Sequence, residues 1–95
     1  MIYDLAFKSQ AKKEWDKLAP TIKEQLKKKL SERLINPHVK SAQLYGLPDC
    51  YKIKLKAAGY RLVYQVSDQT ILITVVAIGK RERNSVYKAA IKRIE

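Results

Sequence analysis

The chain has 95 residues, 46% of them hydrophobic, and its 20 lysines and arginines outnumber its 9 acidic residues, which gives a formal net charge of +11 at pH 7. This length predicts one small domain over residues 1–95 with a single core, and the hydrophobic fraction excludes a disordered chain. Both halves of the chain are basic, so the charge does not come from a basic tail. A folded domain with such an excess commonly binds a polyanion, of which nucleic acid is the first candidate.

The small number of candidate metal ligands and nucleophiles excludes several kinds of chemistry. Cys50 is the only cysteine and His38 the only histidine, which excludes an intramolecular disulfide and a cysteine metal cluster. His38 follows Pro37 in a predicted loop and has no identifiable carboxylate partner, so we interpret it as an ordinary exposed histidine. We therefore expect no metal and no cofactor.

No segment of the sequence has the pattern of a targeting or membrane-spanning segment. The N-terminus lacks the basic region and the apolar region of a signal peptide. The longest apolar run, residues 71–78, is too short to span a bilayer. A lone cysteine fits a reducing compartment. We expect a cytoplasmic protein without a membrane partner.

The first third of the chain predicts a strand followed by two helices. Residues 2–7 alternate in polarity, as a strand does. Ser9 is predicted to cap a first helix with Trp15 in its apolar stripe, and Thr21 with Glu24 matches a capping box for a second helix. The apolar residues of the second helix recur every four positions and predict one buried stripe: Ile22, Leu26, Leu30 and Leu34.

The polar side of this second helix is strongly basic. Its lysines are Lys23, Lys27, Lys28 and Lys29. They form either a solvated face or a general electrostatic contact with an RNA backbone. The helix is predicted to end at Asn36, because a residue before a proline is disfavoured in helical conformation.

Residues 51–66 carry the clearest pattern, that of a β-hairpin whose loop is residues 56–59. One face of the hairpin is apolar, and on the other face Lys54 lies opposite Arg61. Like charges directly opposite each other destabilise a strand pair by a few tenths to about 1 kcal/mol. Either the two cations are solvated and point apart, or an anionic group is bound over this face.

A strand, a second basic segment and a last helix complete the predicted order. Residues 71–78 are β-branched on both faces, which predicts a strand buried on both sides. A turn at residues 67–70 would place Arg61 opposite Val76 and bring Gly79 beside the hairpin loop. The basic segment of residues 79–83 follows.

Asn84 or Ser85 is the predicted cap of the last helix. Tyr87 in its first turn is either a core tyrosine or a ring that stacks on a base. The order β-α-α-β-β-β-α predicts an α+β fold with an antiparallel sheet, a helical hairpin on one face and a short C-terminal helix.

The residues that remain for catalysis are lysine, arginine and tyrosine, because the acidic residues are scattered and histidine is single. Such groups suit RNA cleavage by the RNA's own 2′-hydroxyl, which needs a base and stabilisation of the phosphate charge. Lys54 lies between Lys52 and Lys56 in sequence and opposite Arg61. Crowding by like charges predicts a lowered pKa for Lys54.

Four motifs closely resemble the RelE toxins of bacterial RelBE toxin–antitoxin systems: Tyr-Lys-Ile-Lys-Leu, Gly-Tyr-Arg-Leu-Val-Tyr, Gly-Lys-Arg-Glu-Arg and Val-Tyr. The resemblance runs from the first strand to the last helix. It implies a RelE-like, microbial RNase-like fold. It also implies a ribosome-dependent mRNA interferase that cuts the codon in the ribosomal A site and leaves a 2′,3′-cyclic phosphate and a 5′-hydroxyl, so that translation stops.

The resemblance also implies the partners. These are the ribosome and its mRNA, and a RelB-like antitoxin that covers the basic surface and displaces the last helix. Operator DNA is bound only through the toxin–antitoxin complex, in which the toxin acts as corepressor.

Roles for individual residues follow from the same resemblance. Lys54 would be the general base, Lys52 and Arg61 would stabilise phosphate charge, Arg81 would act at the leaving oxygen, and Tyr87 would orient or stack on the mRNA. Arginine keeps its proton at ordinary pH, so Arg81 is better suited to electrostatic stabilisation than to proton donation. Further electrostatic contacts with RNA are expected from Lys23, Lys27, Lys28, Lys29, Lys56, Lys80 and Arg83.

Two other functions remain open from the sequence. The same cations could serve a non-enzymatic RNA- or DNA-binding domain through phosphate contacts. The chain could also be a catalytically inactive paralogue that acts only as a corepressor, although its set of candidate catalytic residues is intact.

Overall fold

The computed structural model describes residues 2–82 and 84–94. Its strands and helices occur in the predicted order, which confirms the α+β fold class. The elements are β1 (Asp4–Phe7), α1 (Ser9–Asp16), α2 (Pro20–Ile35), a short 3₁₀ turn (Lys40–Ala42), β2 (Cys50–Leu55), β3 (Tyr60–Ser67), β4 (Leu72–Lys80) and α3 (Ser85–Ile94). Among the described residues, no helix has the length and apolar character needed to cross a membrane.

The four strands form one mixed sheet in the order β1-β4-β3-β2. The pairs β2–β3 and β3–β4 are antiparallel, but β1 pairs with β4 in parallel, so the prediction of a purely antiparallel sheet is wrong at β1. A parallel pair needs a long connection, which the helices and the hairpin between β1 and β4 supply. Polarity alternation in a strand does not encode the direction of its partner.

Each face of the sheet has its own apolar cluster. The α1–α2 hairpin packs on the first face, as predicted, over a cluster that includes Tyr51, Ile53, Leu62, Tyr64 and Val75. On the second face α3 packs through Val86 and Ala90, together with Leu44 and Leu47 of the loop before β2, over Cys50, Val63 and Val76. The second face is therefore covered only in part by α3 and this loop.

The register of β3 and β4 differs from the prediction, since Arg61 lies opposite Gly79 and not opposite Val76. One reason is the turn, which extends to Ile71 with a φ of 52°. The other is a register shift between Val63 and Tyr64, where β4 contains one extra residue. The bulge also explains why consecutive residues Val76 and Ala77 are both buried under α3.

The predicted caps at the first two helices are wrong. Ser9 is the first residue of α1 and follows the extended residue Lys8, while α2 begins at Pro20 after the extended residue Ala19. Neither helix has a side-chain cap hydrogen bond. Proline has the backbone φ of a first helical residue and lacks the N–H that would be unpaired there, so it starts α2 without the Thr21 capping box.

His38 has a carboxylate partner, so its interpretation as a histidine without one is wrong. Its Nε2 lies 2.9 Å from Asp68 Oδ1, and its Nδ1 lies 2.9 Å from the Tyr51 hydroxyl. The Tyr3 hydroxyl donates to the same Asp68 oxygen at 2.8 Å. These contacts join the start of β1, the loop after α2 and the β3–β4 turn. The hydrogen bonds from His38 and Tyr3 hold the pKa of Asp68 below its usual value.

We expect Asp68→Asn to lower the free energy of unfolding at neutral pH. In this variant the free energy of unfolding should also fall less as the pH is lowered. A carboxylate whose pKa is lower in the folded state stabilises the fold above its unfolded pKa, and this contribution is lost as the pH falls through the folded pKa. Urea unfolding from pH 2 to pH 7 measures the effect, with Asp16→Asn on α1 as control. Identical pH dependence in the wild type and in Asp68→Asn would contradict this assignment.

Candidate active site

Three of the candidate catalytic cations lie on the second face of the sheet, on its uncovered part. Lys52 and Lys54 extend from β2 between residues that are buried on the first face, and Arg61 extends from β3. Lys54 pairs with Arg61 across the two strands, which confirms the predicted hairpin register. The sheet pleat places all three side chains on the same side.

Arg81 joins these cations from the end of β4. Its backbone N–H donates to the carbonyl of Gly59 at 2.7 Å, which holds the segment after β4 beside the hairpin loop. The pKa of Lys54 lies below its ordinary value because of the Lys52 charge first, then desolvation, and then the charges of Arg61, Lys56 and Arg81. The expected crowding of Lys54 is therefore present, and a larger fraction of its amine is neutral than for an isolated lysine.

Tyr87 meets Arg61 at the start of α3. The Arg61 guanidinium lies 5.0 Å from the centroid of the Tyr87 ring, and its Nη1 donates to Asn84 Oδ1 at 3.3 Å. Arg61 Nε and the Tyr87 hydroxyl are buried and have no hydrogen-bond partner among the described residues. Asn84 directly precedes α3, as one of the two predicted caps does, and its carbonyl accepts from the backbone N–H of Lys88. Its side chain is also the polar partner of Arg61, which was not predicted.

An ion pair attaches α3 to the rest of the fold. Arg93 donates to both carboxylate oxygens of Glu14, at 2.8 and 3.0 Å, and their side chains are 16% and 33% exposed. Glu14 also accepts from the backbone N–H of Ile78, and Arg93 donates to the carbonyl of Val76. These backbone groups lie on β4 beyond Val75, where pairing with β1 ends. Sequence reasoning missed both residues, although Glu14 lies three positions after the buried Ala11 and so faces the sheet.

Arg33 of α2 holds the backbone of β2 from the first face of the sheet, opposite the candidate site. It donates to the carbonyl of Lys52 at 3.1 Å and to the Tyr64 hydroxyl at 2.9 Å. The Tyr64 hydroxyl in turn donates to the carbonyl of Pro37, and its ring stacks on that of Tyr51. This role was also missed. Arg33 lies three positions after the buried Leu30, which indicates a basic side chain that faces the sheet.

The remaining candidate RNA contacts do not all belong to this site. Lys56 lies in the hairpin loop, and Lys80 is exposed opposite Tyr60 at the end of β4, so both are at the same end of the hairpin as the candidate catalytic residues Lys54 and Arg61. The four lysines of α2 lie on the helix that packs against the first face, so the sheet separates them from the site: Lys23, Lys27, Lys28 and Lys29. Arg83 lies outside the described residues.

Comparison with known proteins places these residues in a family. The model of the "ParE toxin of type II toxin-antitoxin system, parDE" matches residues 5–85. The chain belongs to the RelE/ParE toxin family. This membership confirms the resemblance that the sequence motifs indicated.

Related proteins match this RelE/ParE toxin over nearly its whole length. The mRNA interferase toxin RelE of Escherichia coli K12 is 55% identical over 94 residues, which cover 99% of each chain. A structure of an E. coli RelE double mutant in the free state has a TM-score of 0.92 and 53% identity, with 100% of both chains covered. The E. coli RelBE toxin–antitoxin complex contains a chain with a TM-score of 0.82 and 54% identity, which covers 85% of this toxin and 99% of that chain.

The described residues of the toxin contain no group of three or more histidine, cysteine, aspartate or glutamate side chains that could hold a metal ion. Cys50 is buried, and its burial, followed by the charge of Asp49, raises the pKa of its thiol to about 11. The side chains that meet at the open face are cationic and aromatic. They are suited to binding a phosphate and a base.

We expect Glu14→Gln to loosen α3 selectively. The change leaves the largely buried Arg93 without its charged partner, and losing a charged hydrogen bond of this kind costs about 1–3 kcal/mol. The amide hydrogens of α3 should then exchange faster, because the helix opens locally more often, while those of β3 stay protected.

The control for this prediction is Lys12→Gln, which removes an exposed ion pair with Asp16 of 2.9 Å. Exposed pairs of this kind contribute about 0–1 kcal/mol, so exchange in α3 should not change. Equal protection of α3 in Glu14→Gln and in the wild type would show that the ion pair does not hold the helix.

Proposed function

We propose that this toxin is a ribosome-dependent endoribonuclease that cleaves mRNA in the ribosomal A site. The observation that carries the proposal is the cluster at the open sheet face, in which four cations lower the pKa of Lys54 and Tyr87 lies beside Arg61. The names of its full-length relatives, mRNA interferase toxin RelE and mRNA interferase RelE, support the same activity.

In the proposed reaction, neutral Lys54 removes the proton from the 2′-hydroxyl of the nucleotide before the cut. The 2′-oxygen forms a bond to phosphorus and the bond from phosphorus to the 5′-oxygen breaks, which leaves a 2′,3′-cyclic phosphate and a 5′-hydroxyl. Lys52 and Arg61 stabilise the charge that develops on the phosphate, and Arg81 stabilises the leaving oxygen. Because a guanidinium keeps its proton, the proton on the leaving oxygen comes from water.

The ribosome has a clear physical role in this proposal. In-line attack requires that the 2′-oxygen, the phosphorus and the 5′-oxygen be aligned, and correct positioning of this kind is worth about 7–11 kcal/mol in favourable cases. Lysine and arginine side chains on an open face supply charge and leave this alignment to the substrate. We infer that the decoding centre presents the mRNA in the required geometry.

The proposed partners follow from family membership and from the solved E. coli RelBE complex. A RelB-like antitoxin neutralises the toxin, and the pair binds operator DNA with the toxin as corepressor. The whole chain, residues 1–95, acts as one RelE-like domain in the cytoplasm, where its ribosome target is. Lys56, Lys80 and Arg83 contribute electrostatic contacts with RNA near the site, and the α2 lysines contribute general attraction.

The proposed activity is tested by mapping mRNA 5′ ends after adding the toxin to translating ribosomes and to free transcripts. We expect cuts within codons on translating ribosomes and none on free RNA. Lys54→Ala should reduce cleavage by about 10²–10⁴-fold, as expected for loss of a general base, and leave ribosome binding nearly unchanged. Equal cutting of free RNA would exclude the ribosome dependence. Binding without cutting, with an affinity that falls as salt rises, would support the non-enzymatic binding domain instead.

The lowered pKa of Lys54 predicts the pH dependence of cleavage. A general base must be neutral, so the cleavage rate rises with pH and levels off above the pKa of Lys54. Lys52 is the largest cause of the lowered pKa, so Lys52→Gln should raise that pKa and move the rise in rate to higher pH. Single-turnover cleavage from pH 6 to pH 10 measures the shift, with Lys28→Gln on α2 as control. A profile that stays in place or moves to lower pH would exclude Lys54 as the base.

A further inference from the structure

Arg33 of α2 joins the two strands of the hairpin that carries the candidate catalytic cations. Its Nη1 donates to the carbonyl of Lys52 on β2 at 3.1 Å and to the Tyr64 hydroxyl on β3 at 2.9 Å. The Arg33 Cζ atom lies 5.7 Å from the centroid of the Tyr64 ring. The two acceptors belong to different strands, so one side chain of a helix connects β2 to β3.

The contact with Lys52 holds an edge of the sheet. β2 is the last strand in the order β1-β4-β3-β2, and the outward carbonyls of an edge strand have no partner strand. The carbonyl of Cys50 at this edge accepts from the backbone N–H of Leu44 at 2.9 Å. The carbonyl of Lys52, two residues further on, points to the same edge and accepts from Arg33. The edge of β2 is therefore held at Cys50 by a loop and at Lys52 by α2.

The other acceptor of Arg33 is itself fixed in place. Tyr64 is fully buried, its ring stacks on that of Tyr51, and its hydroxyl donates to the carbonyl of Pro37 at 2.8 Å. A tyrosine hydroxyl has one proton, so it donates to Pro37 and accepts from Arg33. Among the described residues Arg33 forms no ion pair with a carboxylate. This half-buried guanidinium therefore directs its recorded hydrogen bonds to the hairpin.

Repulsion on the second face of the sheet acts against this contact. Lys54 lies directly opposite Arg61 across the two strands, and like charges in that position favour separation of the strands. A donor that holds a β2 carbonyl and a β3 hydroxyl at the same time resists this separation. Arg33 is therefore placed to keep the cations of both strands close together.

We propose that Arg33 is a positioning residue for the cleavage reaction, which holds Lys52 and Lys54 of β2 at a fixed distance from Arg61 of β3. This inference rests on the proposed cleavage of mRNA. Because Arg33 lies on the first face, it contacts neither the RNA nor the reacting atoms. Its loss lets β2 move away from β3, so that the general base and the cations that stabilise the phosphate no longer meet at one scissile bond.

The first test measures the pKa of Lys54 in the free toxin by NMR titration of its Cε. Four charges are among the causes that lower this pKa: Lys52, Arg61, Lys56 and Arg81. Arg33→Met keeps an unbranched side chain with high helix propensity, and it should raise the pKa because Lys54 and Arg61 separate. An unchanged pKa would overturn the proposal.

The control for this test is Leu34→Ala on the same helix. It truncates a side chain that packs against the apolar cluster of the first face, so it should lower the free energy of unfolding and leave the pKa of Lys54 in place. Urea unfolding verifies that each variant folds. If Arg33→Met does not fold, Arg33→Gln takes its place, because the shorter amide does not reach both acceptors, and the same rise in pKa is expected.

A double-mutant cycle with Arg61→Gln separates positioning from a direct effect of the Arg33 charge. Loss of a charge that acts directly on Lys54 raises the pKa equally with and without Arg61. Loss of the contact that holds the strands changes mainly the distance to Arg61, so the rise should be smaller in the Arg61→Gln background. Equal rises in the two backgrounds would overturn the positioning role.

The second test is single-turnover cleavage of mRNA on programmed ribosomes. The rate constant at saturating toxin reports the geometry of the site and does not depend on the folded fraction. Misplacement by about 1 Å can cost about 10²-fold in rate, so Arg33→Met should lower this rate constant by roughly 10- to 100-fold and leave ribosome affinity nearly unchanged. The rise of the rate with pH should move to higher pH. Leu34→Ala should keep the wild-type rate constant and pH profile.

The two proposals fail in distinguishable ways. A wild-type toxin that does not cleave ribosome-bound mRNA would overturn the proposed function and, with it, the role of Arg33 in cleavage. Normal wild-type cleavage with an unchanged rate constant in Arg33→Met would overturn the role of Arg33 alone.

Discussion

Repulsion among the cations around Lys54 is the constraint that the rest of the structure must offset. Like charges directly across two strands cost up to about 1 kcal/mol, and Lys54 and Arg61 form such a pair. The charges of Lys52, Lys56 and Arg81 add to the repulsion at Lys54. The opposite face of the same hairpin holds the strands together. Ile53 and Leu62 face each other there and are buried, and burial of one such side chain contributes about 1.5–3 kcal/mol. The apolar face therefore outweighs the repulsion among the cations.

The last helix completes the site and is attached to the rest of the fold near both of its ends. Tyr87 and Asn84, the two partners of Arg61, lie at its start, whereas the ion pair of Arg93 with Glu14 lies near its end. Gly79 of β4 allows the close approach, because a Cβ at this position would lie 3.2 Å from a methyl group of Val86. Any movement of α3 away from the sheet would therefore remove the partners of Arg61 while β2 and its lysines stayed in place.

The sequence predicted the parts of this molecule that depend on local pattern. The alternation in β2 and β3, with a short loop that contains Gly59, was sufficient to place Lys54 opposite Arg61. The β3–β4 register was not predictable, because β4 is buried on both faces and its uniformly apolar sequence gives no polarity signal for the bulge at Val76. Contacts between distant positions, such as His38 with Asp68 and Glu14 with Arg93, depend on how the helices pack. The parallel pairing of β1 with β4 also joins distant positions, so the local pattern did not predict it.

Electrostatic attraction alone leaves an RNA substrate poorly positioned. Phosphates repeat at every nucleotide, so a cluster of lysines and arginines binds equally well in any register along the strand. Cleavage at one bond therefore needs something that fixes the nucleotide register, and in the proposed reaction the ribosome does so by presenting the mRNA in line for attack. Selection among codons would then come from the surroundings of the mRNA on the ribosome and from how readily each base leaves its stack.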